Sequence, residues 1–157
     1  MLTARLEELR KYITDEFPRK LRGAQNATHF KATEFRFFLL YSGPIALKNI
    51  LSTTLYIHFL LLHVATRLLC CSLKATVYTQ YAKDLYRHFF SLLPQLYGND
   101  SQINNMHNII HIADDVQNMQ CCLDDERFPI WKCIRKNEAH VENILDLLLN
   151  IARGKQS

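Results

Sequence analysis

The sequence predicts an all-α fold, a single-domain bundle of about six or seven helices with a buried central apolar helix. Three observations carry this. Apolar side chains recur three and four apart through most of the 157 residues. No segment of useful length alternates apolar and polar with the period of two that a half-buried strand requires. Breakers are scarce, with four glycines and four prolines, while 48% of the chain is hydrophobic. That composition suits a packed core and not a disordered or fibrous chain.

The elements follow in order. Leu2, Leu6, Leu9 and Ile13 form one stripe on a first helix over residues 3–17, which Pro18 ends. A short basic connector near residues 18–23 comes next. A second helix starts near Thr28, which offers a cap, and supplies Phe30, Phe35, Phe38, Leu39 and Tyr41 as bulky core candidates. Ser42-Gly43-Pro44 reads as stop, turn and start, with a short helix following over residues 45–51. Ser52-Thr53-Thr54 offers caps for the long apolar helix, residues 55–73.

A fifth helix covers residues 74–93, with Val77, Tyr81, Leu85, Phe89 and Leu92 as its apolar stripe and Pro94 interrupting it. Ser101 caps a sixth over residues 103–118. The last spans residues 130–153, ahead of a frayed tail. No repeat, low-complexity tract or long linker divides residues 1–157.

The apolar stretch 55–73 is long enough to raise the question of a membrane span. His58, His63 and Arg67 are spread along it, and charge near a bilayer centre is costly, so a buried helix is expected and no membrane contact. An unpaired buried Arg67 would cost several kcal/mol, so these polar side chains must find partners or reach an edge. Glu7 and Glu8 precede any apolar run, so no secretory signal is expected. Cysteines number five: adjacent pairs Cys70-Cys71 and Cys121-Cys122, and Cys133 alone. None has the spacing of a zinc knuckle or redox motif, which points to reduced thiols and an intracellular chain, cytoplasmic or nuclear.

Few residues suggest chemistry. His107 and His111 are four apart on one helical face with Asp114 nearby and Asp115 next to it, a set that could ligate zinc. Asn108 stands where the metalloprotease motif has glutamate, and histidines bonded to neighbours are the plainer reading. There is no Gly-x-Ser-x-Gly elbow and no phosphate loop, so no catalytic residue, cofactor or small-molecule substrate is expected. The formal charge of +4 permits contact with nucleic acid without demanding it. Arg19, Lys20, Arg22 and Lys31, with Arg36 beyond, are the candidates for phosphate contact. The aromatics Phe30, Phe35, Phe37, Phe38 and Tyr41 could stack bases, but helical spacing favours core packing.

Three blocks carry a family resemblance: Phe30-Lys31-Ala32-Thr33-Glu34-Phe35-Arg36-Phe37-Phe38-Leu39-Leu40-Tyr41-Ser42-Gly43-Pro44, Tyr56-Ile57-His58-Phe59-Leu60-Leu61-Leu62-His63, and Met106-His107-Asn108-Ile109-Ile110-His111-Ile112-Ala113-Asp114-Asp115-Val116. In this order they resemble the helical region downstream of the nuclease domain in insect transposase-derived proteins. That region is similar to a domain of unknown function in plant CACTA-type transposases. The likeness covers residues 18–128. In that family the Phe-Pro pair is followed by an aromatic and a glutamate, whereas Ile130-Trp131 follow Phe128-Pro129 here, so the segment from about residue 128 is atypical. A nuclease needs carboxylates converging on metal from a sheet-containing domain, and no strands are expected.

The resemblance implies origin in a mobile element and not an activity. The function expected is a non-catalytic interaction or assembly domain derived from a transposase, a fragment of one included. Its partners would be a second copy, a transposase nuclease domain or nucleic acid. The alternatives are a nucleic-acid-binding helical module and a metal-dependent hydrolase using His107, His111 and Asp114.

Overall fold

The computed structural model describes residues 1–13, 30–98, 104–120 and 138–154. Every regular element among them is helical: α1 (Leu2–Arg10), α2 (Ala32–Phe37), a π-helical segment (Phe38–Ser42), α3 (Gly43–Leu47), α4 (Thr53–Leu69), α5 (Ser72–Tyr97), α6 (Asn104–Gln120) and α7 (Glu138–Ala152). The chain divides into two compact units, residues Met1–Ile57 with Glu142–Ser157, and residues His58–Val141.

In the first unit α1 packs on α3. Leu2 and Leu6 are buried, but Leu9 and Ile13 are only half-buried, so the expected stripe fades along the helix. The helix ends at Arg10 and not near Phe17. Beyond it the Lys11, Tyr12 and Ile13 amides donate to the carbonyls of Glu8, Leu9 and Arg10, tight turns three residues back that use up the last carbonyls. One guanidinium nitrogen of Arg5, Nη1, donates to the carbonyls of Ile45, Ala46 (3.3 Å) and Lys48. It thus places a cation at the carbonyl end of α3.

The Lys31 amide donates to Oε2 of Glu34 at 2.8 Å, half of a capping box that also accounts for a buried carboxylate at the start of α2. Phe30, Phe35, Phe37 and Phe38 are buried, and Phe30 meets Phe35 edge-on at 5.4 Å, so these rings serve the core. The Gly43-Pro44 stop does not occur. Gly43 is in the right-handed helical region (φ −57°, ψ −48°), and its amide reaches the carbonyl of Phe38, five residues back. Pro44 lacks the N–H for the ordinary bond, and the widened π turn absorbs that loss without ending the helix. The turn lies later, where Asn49 has φ 63°, a left-handed conformation that Asn tolerates better than most residues. Ser52 caps α4 as expected, its hydroxyl accepting the Leu55 amide at 3.4 Å. The Tyr56 hydroxyl donates to the Pro44 carbonyl at 2.9 Å. On α7, Leu145, Leu148 and Leu149 are buried at helical spacing.

In the second unit α5 packs along α6, where Ile109, Ile112, Ala113 and Val116 are buried. From α4 come the buried residues His58, Phe59, Leu62, Ala65, Thr66 and Leu69. The expected buried apolar helix is present along that stripe, while Val64 and Arg67 face solvent. Half-buried Cys70 and Cys71 stand at the α4–α5 junction as thiols outside any disulfide. Cys121, Cys122 and Cys133 lie outside the described residues.

Helix α5 differs from expectation in two ways. It runs through Pro94 to Tyr97 and ends where Gly98 (φ 93°) returns its amide to the Pro94 carbonyl. Pro94 sits in the last turn, where few bonds remain to be lost, and buried Leu93 on one side with Tyr97 on the other pin that turn to the core. The buried stripe is also not the expected one. It consists of Ala75, Thr79, Ala82, Tyr86, Phe89 and Leu93. Of the predicted stripe only Phe89 is fully inside, and Val77 and Tyr81 point outward.

Candidate functional site

The outward face of α5 is the most unusual surface among the described residues. Lys74, Val77, Tyr78, Tyr81, Asp84 and His88 recur at three- and four-residue spacing and are all exposed. Val77 is 72% exposed, Tyr78 44% and Tyr81 55%. Three large apolar side chains within one and a half turns form a patch and not scattered singletons. It arises because the helix turns its small residues, Ala75, Thr79 and Ala82, inward, which sends the bulky ones opposite. Asp84 accepts from Gln80 Nε2 at 3.0 Å and from Arg87 Nη1 at 3.2 Å, both through Oδ1. The Lys74 ammonium makes no ion pair among the described residues.

Beneath, two buried polar contacts tie α4 to α5. His58 is 1% exposed. Its Nε2 lies 2.8 Å from the Phe89 carbonyl, which can only accept, so Nε2 carries the proton. Nδ1 then accepts the Tyr97 hydroxyl at 3.0 Å. The imidazole stacks on the Phe89 ring at 4.0 Å. Burial pushes the His58 pKa down, against the bond to Phe89 and with a small push from His88. The second contact is Thr66, whose hydroxyl donates to the Leu62 carbonyl (2.8 Å) and accepts from Tyr86 (3.1 Å). Burial pushes both tyrosine hydroxyls well above their ordinary pKa, so they stay protonated donors. All hydrogen-bonding positions of the ring and both hydroxyls are directed into the core, an arrangement that locks helices and offers nothing to a substrate.

The residues expected to carry chemistry are placed differently from one another. His111 and Asp114 share a face of α6, with Nδ1 of His111 3.8 Å from Oδ2 of Asp114. The other Asp114 oxygen holds the ammonium of Lys83 from α5, so a cation already occupies that carboxylate. The side chain of His107 lies outside the described residues, as do Arg19, Lys20 and Arg22. Among the described residues no group of three or more metal-ligating side chains converges. Lys31 and Arg36 are exposed on and beside α2. No described helix is long and apolar enough to cross a membrane.

No family model matches the chain, and no curated protein or solved structure does either. Periodicity alone places this α5 face in the core, because Val77, Tyr81 and Leu85 satisfy helical spacing as well as the true inner stripe does. The signal that separates them is side-chain size: Ala75, Thr79 and Ala82 allow the closer helix approach.

Proposed function

We propose that this chain is a non-catalytic interaction and assembly module, of the transposase-derived kind that its sequence resembles. The observation that carries the reading is the exposed Val77–Tyr78–Tyr81 face of α5. Tyrosine on an exposed helix combines a large apolar body with a polar tip, a combination enriched at protein interfaces. The buried polar groups that tie α4 to α5, His58 with Tyr97 and Thr66 with Tyr86, are engaged with one another, which supports a binding role over a reactive one for that part of the chain.

A photo-crosslinking side chain placed at Tyr81 in the intact chain, expressed in cells, tests the reading. Discrete protein adducts are expected at Tyr81 and not at exposed Asn118, which lies on α6. No adduct at Tyr81 would overturn it.

The second reading is a nucleic-acid-binding module, favoured by exposed Lys31 and Arg36 and, in the sequence, by the basic cluster Arg19, Lys20 and Arg22. Binding to unrelated single- and double-stranded probes that falls steeply with salt, and falls further when Arg19, Lys20 and Arg22 become alanine, would put that reading first.

A further inference from the structure

We infer that the outward face of α5 pairs with the same face of a second copy, antiparallel, in a twofold dimer. The inference rests on the assembly reading above and names its partner.

The argument is charge and register. Along the face the order is Lys74, then Val77, Tyr78 and Tyr81, then Asp84. A cation and an anion therefore flank an apolar centre, about 15 Å apart along the helix. Two such helices laid antiparallel bring Lys74 of each copy against Asp84 of the other. The same register sets Val77 against Tyr81 on both sides of the axis and brings the two Tyr78 rings to the centre. One patch thus satisfies itself twice, which is what a twofold interface demands. A parallel pair would instead place Lys74 beside Lys74 and Asp84 beside Asp84.

Among the described residues the two charged groups are also available: Lys74 has no ion pair, and both contacts to Asp84 use Oδ1, leaving Oδ2 for a second cation. Exposed ion pairs contribute little affinity, so here they select orientation while the Val and Tyr side chains supply the attraction. A patch of three large side chains is small beside a standard interface, so the dimer is a weak one that forms with rising concentration.

Sedimentation velocity of the full chain over a wide concentration series tests this. The wild type is expected to shift from monomer to dimer. Tyr81→Lys is expected to weaken dimerisation at least tenfold, and Lys74→Glu and Asp84→Lys should each weaken it severalfold. An equimolar mixture of those two single variants should dimerise again, because each then presents the charge that the other lacks. All these positions are exposed, and unchanged circular dichroism will show that the variants fold.

A wild type that stays monomeric at every attainable concentration overturns the inference. So does a dimer indifferent to Tyr81→Lys, or a mixture that fails to restore pairing. A monomeric purified chain whose Tyr81 still crosslinks a different protein in cells overturns self-pairing alone and leaves the assembly reading standing.

Discussion

Tyr97, in the turn that follows Pro94, reaches back to His58 at the start of the second unit, its hydroxyl 3.0 Å from Nδ1. The bond explains how α5 survives a proline one turn from its end. Removing the hydroxyl leaves a buried ring nitrogen without its donor, and an unsatisfied buried acceptor costs about 1–3 kcal/mol. Tyr97→Phe should therefore lower the urea unfolding midpoint clearly. Tyr81→Phe, at an exposed position, should stay within about 0.5 kcal/mol of wild type.

His58 also sets a pH dependence. Burial is the main cause of its lowered pKa, so the folded state holds the ring neutral where the unfolded chain has begun to protonate. Below an unfolded pKa of about 6.5 the unfolded state binds more protons, and stability falls with falling pH until the folded pKa is reached. Above the unfolded pKa the contribution is fully present. The unfolding midpoint of the wild type is expected to drop as the pH falls below about 6.5, with a slope of at most about 1.4 kcal/mol per pH unit from this group. His58→Gln should flatten that part of the profile while lowering stability throughout.

Thr66 and Tyr86 form the neighbouring lock, and their energies should not add. Thr66→Val leaves the buried Tyr86 hydroxyl without its acceptor, Tyr86→Phe leaves Thr66 only its bond to the Leu62 carbonyl, and the double variant removes both hydroxyls. A double-mutant cycle read by urea unfolding is expected to give a coupling of about 0.5–1.5 kcal/mol. Additive losses would mean that the two hydroxyls do not depend on each other.

Much of this architecture is legible in the sequence, and the failures have physical causes. Helical periodicity, the Ser52 cap and the inward polar side chains of α4 are local signals that tertiary packing leaves intact. Gly43-Pro44 misleads because the π turn supplies a third option besides helix and break. Pro94 misleads because the penalty of a proline depends on how much helix remains beyond it, and only the Tyr97–His58 bond reveals that one more turn is held. The rotation of α5 is hidden because two stripes compete, and alanine and threonine carry less hydrophobic weight than valine and tyrosine although they pack closer. Of the expected site residues, the shared face of His111 and Asp114 is a matter of spacing and readable. The Lys83 ammonium on Asp114 is a contact across 31 residues and is not.

Arg5 offers a test of the first unit. A single guanidinium nitrogen gathers three carbonyls at the end of α3, two of which belong to the last residues of that short helix. Arg5→Met keeps the apolar stem and removes the donors, and should cost about 1 kcal/mol, below the roughly 1.5–3 kcal/mol of a bond to a charged group because the site is partly exposed. Arg5→Lys should recover only part of that loss, since its ammonium sits on a shorter side chain and does not reach all three carbonyls.

Asp114 decides between a structural and a metal-binding role for the α6 cluster. With the Lys83 ammonium on one oxygen and His111 at 3.8 Å from the other, a divalent ion would have to displace a cation before gaining this ligand. Zinc titrated into the intact chain by calorimetry is therefore expected to give no saturable heat at about micromolar affinity. Lys83→Met should cost no more than about 1 kcal/mol in stability, because the pair is partly exposed and screened. Saturable binding of one zinc per chain, abolished by both His107→Ala and His111→Ala, would instead assign α6 a metal site and move the hydrolase alternative ahead of the assembly role.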